Sequence, residues 1–464
     1  MAKLPKCFVA RPTKTTISIN VVPQSEWKKW SQKLSKFSSN WLKSNGFSGK
    51  RPGVILLPNR DGSIQKGVLV VSNASDPWVY AAARSKLPAG RFEFMGLKTK
   101  EEANAAALGW GLDSYEFTRY SKSTAKKRQL VMPENADTGE VARLVEGISL
   151  TRDLVNTPAQ DMGPVALGQA AIDLAEKHDA EWSITVGSEL LEQNYPAVHA
   201  VGRAAEEEPR LVDFRWGRED APKVTLVGKG VTFDTGGLDM KSPAHMQFMK
   251  KDMGGAANVL GLAHAVMDAG LDVRLRVLVP CVENAVSGNA FHPLDVLQTR
   301  KGITVEVGNT DAEGRLILCD ALYEAQTEKP ELIVDFATLT GAARVAVGIE
   351  LPAMFCNKEE VATELLSAAG DAGEPIWRLP LFEEYRRHLN SRVADINNIS
   401  KSPYGGAITA ALFLREFVGK KTSWVHFDVM AFNMESRPGR PYGGEAMGVR
   451  AVYQMLKSRY TSEA

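Results

Sequence analysis

The chain has 464 residues, an apolar fraction of 44%, a charged fraction of 24% and a net charge of +1, the balance of an ordinary globular protein with room for two domains. Near-neutral charge gives no overall pull towards nucleic acid, membranes or acidic partners. No run approaches the ~18 consecutive apolar residues of a membrane span.

Charge is nevertheless uneven. The first 60 residues hold twelve Lys or Arg against the single acid Glu26. The N-terminus has charge but no apolar core, which argues against a secretory signal. Cys7, Cys281, Cys319 and Cys356 lie far apart with no CxxC pair, the pattern of reduced thiols in a cytoplasmic protein.

Taken in chain order, Trp27, Trp30, Leu34, Phe37 and Trp41 form an apolar stripe at helical spacing. GVILLP and GVLVVS read as strands around the turn NRDGS, and EEANAAALGWGLDSYEF reads as a helix. Residues 1–137 are thus a small α/β domain. A helix from about Thr138 to a stop at Asn156-Thr157-Pro158 makes 138–160 the connector.

From 161 to 464, strands alternate with helices. KVTLVGKGVTF, VRLRVLVPCV, ITVEVG and ELIVDFATLTG are strands; GGAANVLGLAHAVMDAG and GRLILCDALYEAQTE are helices. This alternation predicts an α/β fold with a mostly parallel sheet covered by helices on both faces. Ligands of such sheets bind at the carboxyl ends of the strands.

Acids gather there. Asp234 ends one strand in GKGVTFDTGGLDMK, Asp252 follows in KKDMGG, and Asp311 and Glu313 sit in NTDAEGRL ahead of a helix. Clustered carboxylates repel one another unless cations or protons neutralise them, and four of them suit a pair of divalent ions that activate water for hydrolysis. Each acid alone has an ordinary alternative, since an acid before a helix is commonly an N-cap. Their recurrence at successive strand ends favours the metal reading.

GKGVTFDTGGLDMK, MKKDMGGAANVLG, NTDAEGRL and DFATLTGA, in this order and spacing, resemble the leucyl aminopeptidase (cytosol aminopeptidase) family of dinuclear metallo-exopeptidases over about residues 150–450. The resemblance implies one metal held by Lys229, Asp234, Asp252 and Glu313, and a second, more exchangeable one held by Asp234, Asp311 and Glu313. Manganese or zinc is expected, with magnesium or cobalt as further candidates. It also implies that Lys241 polarises the scissile carbonyl and stabilises the gem-diolate, and that Arg315 holds a bicarbonate acting as general base. Met249, Thr338, Leu339 and Gly341 are implied as substrate contacts. The substrates would be peptides with a free N-terminus, and the assembly a homohexamer in the cytoplasm; no membrane partner is expected, and a nucleic-acid partner is disfavoured.

Two features depart from the pattern. Where relatives often read H-x-D-x-A-G, this chain reads HFDVMAFN, and the bulk of Met430 is expected to narrow the substrate pocket; His426 and Asp428 are expected to be structural. The N-terminal part resembles the family weakly, and its lysines, including Lys28, Lys29, Lys33 and Lys36, leave open a DNA-binding or scaffold role on the same fold.

Overall fold

The computed structural model describes residues 4–461, which form two compact units. One comprises the chain up to Ser149 with the excursion Glu435–Tyr442; the other comprises Leu150–Met434 and the chain from Gly443. The helix Thr138–Asn156 begins in the first and ends in the second. Among the described residues no helix is long and apolar enough to cross a membrane.

The first unit is built on a six-stranded sheet whose pairs are parallel except for the hairpin Gly53–Pro58 with Ile64–Val71. The aromatic stripe is not one helix. It divides into Trp27–Ser31 and Lys36–Ser44, because the Ser35 Oγ accepts the Ser38 N–H at 3.1 Å and starts a new helix. Trp27, Trp30 and Leu34 of the stripe, each partly buried, pack with Phe47 on buried Val22, Leu42, Leu57, Val68 and Val70, while Phe37 and Trp41 remain exposed.

The second unit carries a nine-stranded sheet. Its centre is parallel: Ser423–Asp428, Leu332–Ala337, Lys223–Gly228 and Arg274–Asn284 lie side by side. Both flanks turn antiparallel, at Ala353–Cys356 and at Arg210–Trp216 with Glu181–Val186, which alternation alone did not predict. Every residue of Leu332–Ala337 is buried, as a strand covered on both faces requires. Ile333 and Ala337 join a core cluster with Leu316, Leu318 and Leu322 of the helix Gly314–Glu324. The helix Gly254–Ala269, ended by left-handed Gly270, packs on the strands Leu332–Ala337 and Lys223–Gly228.

One expected strand lies elsewhere. Thr304–Glu306 pairs with Val296–Gln298 and Ile396–Asn397 in a separate three-stranded sheet, so the loop carrying Asp311 and Glu313 reaches the main sheet's carboxyl edge from a small accessory sheet.

Candidate metal centre

The run KVTLVGKGVTF breaks at Lys229 into Lys223–Gly228 and Gly230–Asp234. Its glycines permit close approach. A Cβ on Gly228 would lie 2.5 Å from the Ala256 Cα, and one on Gly230 would lie 2.3 Å from the Pro280 carbonyl oxygen. Between them the Lys229 N–H donates to the Phe336 carbonyl at 3.0 Å, and its own carbonyl accepts from the Ala256 N–H at 2.8 Å. The backbone is thereby locked with the side chain directed into the acids. The Lys229 Nζ lies 2.6 Å from the Asp252 Oδ2 and 2.9 Å from the Glu313 Oε1, and is buried.

A second lysine bridges the other two acids. Gly236 and Gly237 have φ values of 89° and 65°, conformations that favour glycine, and this turn brings the Lys241 Nζ to 2.7 Å from the Asp234 Oδ2 and into contact with the Asp311 carboxylate. Asp234 is held from behind, its Oδ1 accepting from the Asn284 Nδ2 and the Gly236 N–H, both at 2.8 Å.

The octapeptide NTDAEGRL divides its labour. The Asn309 side chain accepts the Asp311 N–H at 2.6 Å. The Thr310 hydroxyl donates to the Gly236 carbonyl at 2.6 Å, and its N–H donates to the Asp239 carboxylate at 2.8 Å, tying this loop to the Asp234 loop. Asn398 accepts from the Gly308 N–H at 2.7 Å and donates to the Asn309 carbonyl at 2.8 Å. Thr310, Asn284, Asn398 and Asp239 were not singled out in the sequence, since nothing there shows which polar side chains the fold brings to these loops.

Neither Asp252 nor Glu313 caps a helix with its side chain, although Glu313 stands at the N-cap position of Gly314–Glu324. The residue capping Gly254–Ala269 is Met253, and Glu313 precedes Gly314–Glu324 without a side-chain capping bond. Asp234, Asp252 and Glu313 instead place oxygens within 4.8 Å of one another. Burial, then the neighbouring Asp234, push the carboxyls of Glu313 and Asp311 upward, to about 8 and about 6. Burial also opposes charge on Asp252, yet Lys229 and Lys251 outweigh it and hold that carboxyl down at about 2. Asp252 is further satisfied by the Thr338 hydroxyl at 2.8 Å. Burial likewise disfavours the Lys229 and Lys241 ammoniums, but the acids around them win and hold both protonated.

The donor set fits divalent cations. Two positive groups already sit between pairs of carboxylates, and the buried Asp311 Oδ1 and Glu313 Oε1 accept no hydrogen bond, meeting only lysine ammoniums. A neutral Lys229 amine would add one nitrogen donor to hard carboxylate oxygens. Arg315 is buried, donates to the Asn398 carbonyl and leaves its Nε without a partner, while burial lowers its pKa to about 10. An orphaned guanidinium N–H of this kind suits a small oxyanion.

The centre opens into a cavity of about 390 Å³ lined by Met249, Thr338, Leu339 and Gly341 as well as Lys229, Asp234, Lys241, Asp252 and Asp311; Glu313 and Arg315 lie behind this wall. Met430 is buried and absent from it, so the expected narrowing by that side chain does not occur. The reason is the turn at Ala431, with φ of 52°, which packs the Ala431 Cβ against the start of the helix at Gly254. Asp428 holds the substrate-side loop, accepting from the Leu339 N–H at 3.0 Å, the Thr340 N–H at 3.1 Å and the Thr340 hydroxyl at 2.6 Å. His426 is buried and bonds Asp335 at 2.6 Å. A larger hollow of about 700 Å³ around Lys301 and Arg415 has its acids Glu383 and Glu416 paired with Arg415 and Arg386, and offers no comparable cluster.

A helix-covered sheet with lysines and carboxylates converging at its carboxyl edge defines a metal-dependent hydrolase. The sequence model described as the cytosol aminopeptidase family, catalytic domain, matches residues 149–453, and that of the M17 aminopeptidase N-terminal domain matches 17–133, so the thin N-terminal resemblance is also accounted for. Similar relatives include Peptidase B of Enterobacter sp. (strain 638), 39% identical over 84% of this chain and 92% of the relative, and Peptidase B of Serratia proteamaculans, 38% identical over 88% and 98%. A crystal structure of a cytosol aminopeptidase from Coxiella burnetii aligns with a TM-score of 0.95 at 45% identity, over 98% of this chain and all of that one. The bottromycin maturation enzyme BotP in complex with Mn aligns with a TM-score of 0.86 at 33% identity, over 96% of this chain and 99% of its own. The chain belongs to the M17 cytosol aminopeptidase family and is a metallo-exopeptidase.

Proposed function

We propose that the protein releases N-terminal residues from peptides with a free amino terminus, using two divalent ions held by Lys229, Asp234, Asp252, Asp311 and Glu313. The observation carrying this reading is the seating of Lys229 and Lys241 among the buried Asp234, Asp252 and Glu313 and the partly exposed Asp311, a constellation built for more positive charge than two lysines supply. Manganese or zinc suits the donors, and the Mn complex of BotP supports the former.

When bound, such ions supply a hydroxide near neutral pH and a Lewis acid for the scissile carbonyl. The remaining work belongs to the chain. Lys241, on the cavity wall, directs its ammonium at the oxygen on which negative charge develops. Arg315 would hold a bicarbonate, which would supply a general base beside the leaving amine. Met249, Thr338, Leu339 and Gly341 orient the peptide, with Asp428 fixing the loop that carries Leu339. An unacylated amino terminus anchors the substrate, which restricts cleavage to the chain end. In this reading the enzyme works as a cytoplasmic homohexamer.

Unblocked dipeptides and their N-acetyl counterparts, offered to chelated protein and to protein refilled with Mn or Zn, provide the test. Cleavage restored by metal and confined to unblocked peptides is expected. Equal cleavage of the acetylated peptides, or activity indifferent to metal, would overturn it.

A further inference from the structure

His426 is fixed from one side and unmet on the other. Its Nδ1 lies 2.6 Å from the Asp335 Oδ1, while the Asp335 Oδ2 accepts the Trp424 indole N–H, also at 2.6 Å. The ring stacks on Phe355 and Trp424, with centroids 5.8 and 5.9 Å away. These contacts leave it one orientation, in which the Nε2 is fully buried and has no hydrogen-bond partner among the described residues. A histidine kept only for its bond to Asp335 would not need that second nitrogen, and leaving it unmet in the interior is costly.

The atom lies on the side of the sheet that carries Arg315. Asp335 and His426 pair across the strands Leu332–Ala337 and Ser423–Asp428. Alternate residues of a strand share a face. Ile333, Ala337 and Trp424, on the same face as this pair, pack with Leu316, Ile317 and Leu318 of the helix Gly314–Glu324, whose first turn holds Arg315. The charge of Arg315 acts on His426, and that of Asp428 acts on both. Arg315 itself gives its Nη1 to the Asn398 carbonyl and keeps a buried Nε without a partner.

Burial disfavours charge on the His426 imidazole, but Asp335 outweighs it and raises the pKa, favouring the form in which Nε2 carries a proton. The two orphaned nitrogens are then both donors. Donors cannot satisfy each other, whereas one oxygen atom can accept from both.

We infer that the His426 Nε2 and the Arg315 Nε share one oxygen ligand, and that His426 is thereby a positioning residue for the group Arg315 serves. The inference rests on the aminopeptidase reading above. The oxygen has two sources of the same chemistry, the bicarbonate of that reading or an ordered water that orients the guanidinium.

A crystal structure of metal-refilled protein grown with bicarbonate should show an oxygen within hydrogen-bond distance of both nitrogens. Planar anion density or an isolated water names the source. Two substitutions separate the nitrogens, because an asparagine amide reaches about as far as the imidazole Nδ1 and a glutamine amide about as far as Nε2. His426→Asn should keep the Asp335 bond yet lower kcat roughly 10- to 100-fold with KM little changed, and His426→Gln should restore kcat to within about threefold. Calorimetric titration with bicarbonate adds a readout without turnover: affinity falls in His426→Asn and recovers in His426→Gln where the oxygen belongs to the anion, and holds in both where it is water. Density with no oxygen at the two nitrogens, or a His426→Gln protein no better than His426→Asn, overturns the inference. The density requires neither a folded variant nor activity. Silence of the unaltered protein towards every unblocked peptide would overturn the aminopeptidase reading, and the shared oxygen would still be decided by the density.

Discussion

Gly314 and Lys229 occupy space that only a glycine can share: a Cβ on Gly314 would lie 2.4 Å from the Lys229 Cε and 2.7 Å from its Nζ. The glycine of the octapeptide therefore clears room for the lysine from another strand end that reaches Asp252 and Glu313. Gly314→Ala should displace Lys229, destabilise the fold by about 1–3 kcal/mol and weaken metal retention. Thermal unfolding together with metal content after dialysis checks this; a variant that keeps its full metal complement would contradict it.

Metal affinity should rise with pH between about 6 and 8, following the raised carboxyls of Asp311 and Glu313. The sign follows from protonation: a raised pKa keeps a ligand protonated to higher pH, and the proton must leave before the oxygen can bind a cation. Lys229, held protonated by its acids, must also lose its proton to act as a donor. Calorimetric Mn titrations in buffers of different ionisation enthalpy should therefore detect net proton release.

Asn398 touches no carboxylate of the cluster, yet it bonds the backbone at Gly308 and Asn309 and receives Arg315 on its carbonyl. Asn398→Ala should lower kcat/KM by roughly 10- to 100-fold, the usual cost of losing an outer support of a metal site. Steady-state kinetics at saturating metal would reveal it.

Asp428 acts on the substrate loop through three hydrogen bonds to Leu339 and Thr340. Asp428→Ala leaves those donors without their acceptor, a loss of about 1–3 kcal/mol that should appear both in stability and as a raised KM. Unchanged KM in a folded variant would confine the residue to a structural role.

Much of the centre could be read in the chain because strand-end acids, glycine turns and helix starts are local signals. Asp234, Asp252, Asp311 and Glu313 stood out on that basis, Lys229 entered only through the family resemblance, and all five do converge. The supports did not, because Asn284 and Asn398 act on loops 50 and 89 residues away in sequence. Local pattern also misled where a cap or a turn intervened. Ser35 splits the aromatic stripe into two helices, and Met430, seemingly poised to fill the pocket, is turned away at Ala431.

By itself, then, the sequence determined the α/β character, the order of strands and helices, and which acids could meet cations, since these follow from periodicity and from chemistry carried within a few residues; the two lysines were pointed to only by the family resemblance. Tertiary structure alone decided that the sheet's flanks run antiparallel, that Thr304–Glu306 belongs to a separate small sheet, and that His426 lies on the face of the sheet covered by the helix that carries Arg315. Strand pairing and side-chain convergence depend on contacts between distant segments, whose choice is made by how the whole core packs.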